Sequence, residues 1–100
     1  MTIIEFREFI EAKSRAQEIF EGKAMDYQSM KNSARVPAKR WSENRLENEV
    51  AEMWKQAITN TYNSLNAQKD PSTTLKAIVE SDEFLESFTD GIREMEFEEE

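Results

Sequence analysis

Residues 42–66 read SENRLENEVAEMWKQAITNTYNSLN and carry the most regular amphipathic pattern in the chain. Their apolar side chains recur at i, i+3, i+4 and i+7, which places them on one face of an α-helix, while Glu, Asn, Gln and Lys occupy the opposite face. Neither Gly nor Pro interrupts this pattern. We therefore predict a long central helix over residues 42–66, with Ser42 as its N-cap. The residues assigned to its core or oligomer-facing stripe are Leu46, Val50, Trp54, Ile58, Tyr62 and Leu65.

The start of the chain predicts another helix. Thr2 and Glu5 have the spacing of a capping box, in which each side chain accepts a hydrogen bond from the other residue's backbone amide. Phe and Ile side chains follow at helical spacing, and Gly22 offers a left-handed C-terminal cap. We therefore predict a first helix over residues 3–21.

Residues 23–41 have a weaker periodicity and are interpreted as a long connection. Pro37 disfavours helical geometry at the residue before it. A short helix over residues 24–31 is the alternative to a continuous loop. Connections of about twenty residues are often functional, so this segment is the first place to look for a binding site.

The C-terminal part predicts two shorter helices and a tail. Asp70 and Pro71 suit the N-cap and the first position of a helix over residues 71–80. Apolar residues at helical spacing predict a last helix over residues 82–95, preceded by Ser81-Asp82 as a second capping signal. Residues 97–100 then form an acidic tail.

These elements predict an all-α fold with a single helical domain over residues 1–96. We expect a small open bundle of three to four helices around the central one. A helix as long as the central one spans roughly 37 Å, whereas a compact domain of this size has a radius of gyration of about 13 Å. Since part of the helix would extend beyond the core, we expect a second copy of the chain to cover it and predict a homodimer.

The composition narrows the classes of function. The chain contains no Cys and no His, so it has neither thiolate nor imidazole groups for catalysis or metal binding. Its two Gly residues lie outside any phosphate-binding motif, so we do not expect a P-loop or Rossmann nucleotide site. We predict a non-catalytic protein without metal or cofactor.

Apolar runs in the sequence are short. The start, MTIIEFREF, reaches charged residues before an apolar segment develops, and no later segment approaches the length of a membrane helix. We therefore expect neither a signal peptide nor a membrane partner, and predict a cytoplasmic location.

Charge is distributed unevenly along the chain. Residues 23–45 carry six basic and two acidic side chains, residues 70–100 carry two basic and eleven acidic ones, and the net charge is −8. The basic segment also contains Tyr27 and Trp41, which could stack on bases. Repulsion from the acidic end nevertheless disfavours direct nucleic-acid binding. Pairing of the two segments with each other and a solvated basic loop are the remaining interpretations.

Carboxylates along a helix can imitate a phosphate backbone, although acidic helices are more often simply solvated. We predict a protein–protein interaction module that binds and modulates another macromolecule, in the manner of a nucleic-acid mimic or a virus-encoded inhibitor. Its partner would be another protein, such as a basic nucleic-acid-binding protein. The predicted partner-binding residues are Met30, Arg35, Lys39, Arg40, Trp41, Glu83, Glu86, Asp90, Glu94 and Glu96.

Two alternatives remain open. One is a structural or assembly factor that acts through homo-oligomerisation. The other comes from Glu49-x-x-Glu52 followed by Glu80-x-x-Glu83, a layout loosely similar to that of the magnesium-dependent all-α nucleoside-triphosphate pyrophosphohydrolases of the MazG type. Carboxylates at i and i+3 share a helical face, and magnesium prefers oxygen ligands. The same spacing recurs at several other Glu pairs of this chain, so the pyrophosphohydrolase ranks as the second alternative.

Overall fold

The computed structural model describes residues 1–97, and the regular secondary structure in that range is entirely helical. This result confirms the predicted all-α class. The elements are α1 (Ile3–Lys13), α2 (Ala16–Ala34), a 3₁₀ turn (Pro37–Lys39), α3 (Glu43–Gln68), α4 (Leu75–Val79) and α5 (Asp82–Glu94).

The predicted first helix over residues 3–21 is wrong because the chain turns at Ser14. The Ser14 hydroxyl donates to the Ile10 carbonyl at 2.8 Å and accepts from the Ala16 amide at 3.3 Å. A serine side chain that bonds to nearby backbone competes with the helical hydrogen bonds. Ser14 accordingly adopts an extended conformation, and α1 ends where α2 begins.

The predicted continuous loop over residues 23–41 is wrong over most of its length, because α2 continues to Ala34. The alternative is right that residues 24–31 are helical, but they continue α2 instead of forming a separate short helix. Gly22 lies inside α2 rather than capping a helix, and none of the described residues has a positive φ angle. The buried positions of α2 follow i, i+4 spacing, but two are alanines and one is a glutamine, so their apolar pattern is weak. They are Ala16, Phe20, Ala24 and Gln28.

Three predicted helix starts are confirmed by their caps. Thr2 and Glu5 form both hydrogen bonds of the capping box. The Ser42 hydroxyl accepts from the Arg45 amide at 3.2 Å, so the long helix begins as predicted and ends two residues beyond its predicted end. The Ser81 hydroxyl caps α5 in the same way.

The predicted start of a helix at Asp70-Pro71 is wrong. The Asp70 carboxylate accepts from the amide and the hydroxyl of Ser72, which closes a turn instead of capping a helix. α4 begins only after Thr74, whose hydroxyl accepts from the Ala77 amide at 3.2 Å. The short side chain of an Asp stabilises either arrangement, so the sequence alone did not separate them. Residues 98–100 of the predicted tail lie outside the described part of the chain.

α2 shares the centre of the molecule with α3, since α2 packs against α1, α3 and α5. α3 runs antiparallel to both α1 and α2, which cover its two halves in turn. Trp54 lies where these halves meet, fully buried and with its ring centroid 5.3 Å from that of Phe20. Further along α3, the Tyr62 ring contacts the Phe6 ring of α1 edge to face, with 5.6 Å between the ring centroids.

A half-buried carboxylate fixes α1 to this junction. Glu11 Oε2 accepts from Trp54 Nε1 at 2.8 Å and from Arg7 Nε at 2.8 Å. Burial alone raises the pKa of Glu11, but the hydrogen bonds from Arg7 and Trp54 outweigh it and hold the pKa below its ordinary value of 4.5.

The contribution of Glu11 to the free energy of unfolding should therefore depend on pH. Because its pKa is lowered on folding, its contribution is fully present above about pH 4.5 and is lost as the pH falls through the folded-state value. In chemical denaturation at a series of pH values, we expect Glu11→Gln to lower stability most at neutral pH and least in acid. A stability difference from the wild type that stays constant across this range would contradict the assignment.

The molecule is elongated, with principal extents of 55 × 26 × 22 Å and a radius of gyration of 15.7 Å. α5 ends beside the middle of α2, where Lys23 Nζ donates to the Ile92 carbonyl at 3.1 Å. The Phe97 ring packs against that of Tyr27, with 5.5 Å between the ring centroids. α2 continues for almost two turns beyond Tyr27 before the chain reverses into α3. We call residues 30–45 the hairpin tip.

Candidate interaction site at the hairpin tip

The hairpin tip is built around Trp41, which is half-buried. The guanidinium carbons of Arg35 and Arg45 lie 4.2 and 4.1 Å from the centroid of its ring. Both guanidinium groups therefore lie within stacking distance of the same ring. Each such contact stabilises an exposed site by about 0.5–1 kcal/mol. We call this arrangement the Arg–Trp–Arg stack.

Asn32, in the last turn of α2, holds the stack in place. Its Nδ2 donates to the Trp41 carbonyl at 3.1 Å, and its Oδ1 accepts from the Trp41 amide at 2.8 Å. The same Oδ1 accepts from Arg35 Nη1 at 3.0 Å. One amide side chain therefore closes the turn and orients one of the two stacked arginines.

Replacing Asn32 with alanine should make the hairpin tip less ordered. It removes three hydrogen bonds, each with a net contribution of about 0.5–1.5 kcal/mol. We expect faster hydrogen exchange at the Trp41 amide, together with a stability loss of about 1–3 kcal/mol. Asn32→Asp is the matched control because it keeps the acceptor for Trp41 and Arg35 and loses the donor, while its added negative charge lies beside Arg35. Exchange at Trp41 equal to that of the wild type in Asn32→Ala would refute the role of Asn32.

Arg40 contributes to the fold of the tip as well as to its charge. Its guanidinium donates to the Arg35 carbonyl at 3.1 Å and to the Ser33 carbonyl at 3.3 Å. These carbonyls lie at the C-terminal end of α2, where a cation is favourable. Lys39 and Arg45 have exposed side chains with no carboxylate partner in residues 1–97.

The tip is a strongly positive surface on an acidic protein. Residues 30–45 contain five basic side chains and one acidic one, whereas the net charge of the chain is −8. The N-terminus of the long helix α3 adds its partial positive charge at the same place. Met30 and Val36 lie within the tip and are each 59% exposed, so apolar groups accompany the charges.

The structure does not join the acidic half of the predicted site to the tip. Glu83, Glu86, Asp90 and Glu94 are exposed on α5, and Glu96 follows it. Asp90 pairs with Arg93 on the same helix at 3.0 Å, and no ion pair within residues 1–97 links α5 to the tip. The acidic side chains therefore form a second surface.

The residues assigned to the core or oligomer-facing stripe of α3 lie inside the protomer. Four are buried and two are half-buried against the core. The buried residues are Leu46, Val50, Trp54 and Ile58, and the half-buried ones are Tyr62 and Leu65.

The predicted partner-binding residues include Trp41 and three basic residues of the tip but not Asn32, which the structure places against the Trp41 backbone. Asn32 lies in the segment predicted as a connection, and an Asn in the last turn of a helix can bond the returning chain. Arg45 belonged to the basic segment but was not among the predicted site residues, because a helix of unknown rotation does not tell which side chain meets Trp41.

The carboxylates of the pyrophosphohydrolase alternative are dispersed. Glu49 and Glu52 lie on α3, Glu80 follows α4, and Glu83 lies on α5. Among residues 1–97, no three acidic side chains come close enough together to hold a metal ion.

None of the helices in the described part of the chain combines the length and apolar character needed to cross a bilayer. Comparison with protein-family models, with curated proteins and with solved structures gives no match to this chain.

Proposed function

We propose that this protein is a non-catalytic interaction module that works in the cytoplasm and binds another protein through its hairpin tip. The observation that carries the proposal is the Arg–Trp–Arg stack, held by Asn32 before any partner arrives. A surface already fixed in one conformation loses less entropy when it binds.

The chemistry of the tip also suits an interface. Trp and Arg carry much of the binding energy in protein complexes, and Met adapts to irregular partner surfaces. The tip combines all three types with two exposed apolar side chains, Met30 and Val36. Binding there would modulate the partner by occupying its surface, which supports the inhibitory role predicted from the sequence.

The acidic face of α5 supports a nucleic-acid-mimicking version of this function. Asp82, Glu86, Asp90 and Glu94 follow one another at intervals of four residues, or about 6 Å of helix. The pairing of Asp90 with Arg93 lowers the charge of this stripe. If the acidic face mimics nucleic acid, the Glu86→Gln/Glu94→Gln variant should no longer capture a basic partner. Capture equal to that of the wild type would rule out the nucleic-acid-mimicking version.

Site-specific photo-crosslinking tests the tip directly. A photoreactive phenylalanine analogue placed at Met30, in cells that produce the protein naturally, should form one dominant crosslinked product. The same analogue at Asn63, exposed on α3 away from the tip, is the matched control. Equal products from both positions, or a product from position 63 alone, would contradict the proposal.

A second candidate is assembly through a homodimer, favoured by an apolar groove between α1 and α3. Ile3 and Ile4 are 38% and 67% exposed and line a cavity of about 140 Å³ beside Lys55 and Ile58 of α3. A second copy could cover this apolar surface. Sedimentation should then show a dimer that dissociates in Ile4→Lys, whereas a monomeric wild type would remove this candidate.

A further inference from the structure

We infer that the hairpin tip binds an acidic segment of a protein that also carries apolar side chains, and that it does not bind nucleic acid. This inference rests on the proposed function and names the class of partner surface. It follows from the geometry of Trp41, the free cations, the exposed apolar groups and the charge of the remaining surface.

The two guanidinium groups of the Arg–Trp–Arg stack occupy space over the Trp41 ring in which a base would stack. Proteins that hold single strands present aromatic rings on which bases stack. Here guanidinium groups lie 4.2 and 4.1 Å from the ring centroid, and Arg35 is further fixed by its hydrogen bond to Asn32. A base would have to displace an arginine before it could stack.

The same stack suits carboxylates. A guanidinium that lies flat on an aromatic ring keeps its N–H groups at the ring edge, where they can meet a carboxylate in bidentate fashion. Arg45 uses none of its side-chain N–H groups within residues 1–97, and Lys39 is exposed nearby in sequence. The tip therefore offers two cations to a partner without breaking existing ion pairs.

The exposed apolar side chains of Met30 and Val36 favour a protein partner over a nucleic acid. Both are 59% exposed within the positive surface. A phosphate backbone presents only charged and polar groups to them, whereas a protein segment can cover them with apolar side chains. Their burial adds about 25 cal/mol for each Å² of apolar surface removed from water.

The small size of the positive region also limits the length of the anionic partner that can bind there. The tip occupies one end of a molecule 55 Å long whose remaining surface is strongly acidic. A long polyanion would extend onto that surface and be repelled, because charges interact over a Debye length of about 8 Å at physiological salt. A short acidic segment can bind at the tip alone.

Fluorescence anisotropy with defined probes tests this inference. The probes are a labelled helical peptide with Glu and Leu on one face, the same peptide with Gln in place of Glu, and a single-stranded and a duplex DNA of similar length. At physiological ionic strength we expect the Glu peptide to bind at least about tenfold more tightly than the Gln peptide or either DNA. Equal or tighter binding of the Gln peptide or of DNA, or no binding of the Glu peptide, would overturn the inference.

Charge reversal in the tip provides the control. In Lys39→Glu/Arg45→Glu, the affinity for the Glu peptide should fall at least about tenfold, with an unchanged circular dichroism spectrum. Lys13→Glu/Lys76→Glu, which changes the net charge equally at exposed sites outside the tip, should bind as the wild type does. Failure of this inference is separable from failure of the proposed function. If the peptide does not bind while crosslinking at Met30 succeeds, only the class of partner is wrong.

Discussion

Replacing Trp54 with alanine should lower the free energy of unfolding by about 3–5 kcal/mol. Trp54 is fully buried where α1 and α2 meet α3, and its ring packs against Phe20. The substitution also removes the donor to Glu11, whose hydrogen bond spans 43 positions of sequence. A domain of this size has a total stability of about 5–15 kcal/mol, so the variant should lose a large share of its stability and unfold at a lower temperature than the wild type. Urea and thermal denaturation followed by circular dichroism would measure the loss.

Trp54→Phe separates packing from the hydrogen bond. Phenylalanine keeps an aromatic ring beside Phe20 but lacks the N–H group, and Glu11 keeps its hydrogen bond from Arg7. We expect a loss smaller than that of the alanine variant. If Trp54→Ala loses less than about 1 kcal/mol, Trp54 does not hold the junction of the three helices together.

Reversing two charges of the tip should weaken binding of the partner protein about 100-fold, with little effect on stability. The variant is Lys39→Glu/Arg45→Glu, which removes one arginine of the Arg–Trp–Arg stack and places negative charge in its position. Position 45 is the third residue of α3, and Glu there completes a capping box with Ser42, so the helix should remain folded. The amount of partner captured from lysate over a series of concentrations of immobilised protein gives the apparent affinity.

The control for this loss is the variant Lys13→Glu/Lys76→Glu, whose two sites are exposed and lie outside the tip. It makes the same change in net charge, so a general electrostatic effect would weaken both variants equally. We expect the control to retain its partner. Equal loss in both would assign binding to the overall charge of the molecule and leave no specific role for the tip.

The sequence predicts the elements of this fold whose signals are local. Ser42 and Ser81 mark the starts of α3 and α5, because capping depends on a few adjacent residues. The break at Ser14 was missed because the apolar spacing continues across it. The sequence does not predict the second half of α2, because its buried positions include Ala24 and Gln28, which are weakly apolar or polar and carry little periodic signal.

The candidate site, like the fold, depends on features that local sequence signals do not specify. The basic residues and Trp41 were visible as a segment, but their arrangement depends on α2 continuing to Ala34 and turning back into α3. Only that geometry places Arg35 and Arg45 against one ring and brings Asn32 to the Trp41 backbone. These contacts join residues four to nine positions apart around the turn. They depend on how the chain reverses direction, which propensity and spacing do not specify.

Heteronuclear NMR titration with the crosslinked partner, once purified, tests the central claim most directly. The chain contains two tryptophans, one in the tip and one in the core, so their indole N–H signals report on both regions in one experiment. Binding through the tip should shift or broaden the Trp41 signal and leave that of Trp54 unchanged. If the partner binds while the Trp41 signal stays unperturbed, the tip is not the interaction site.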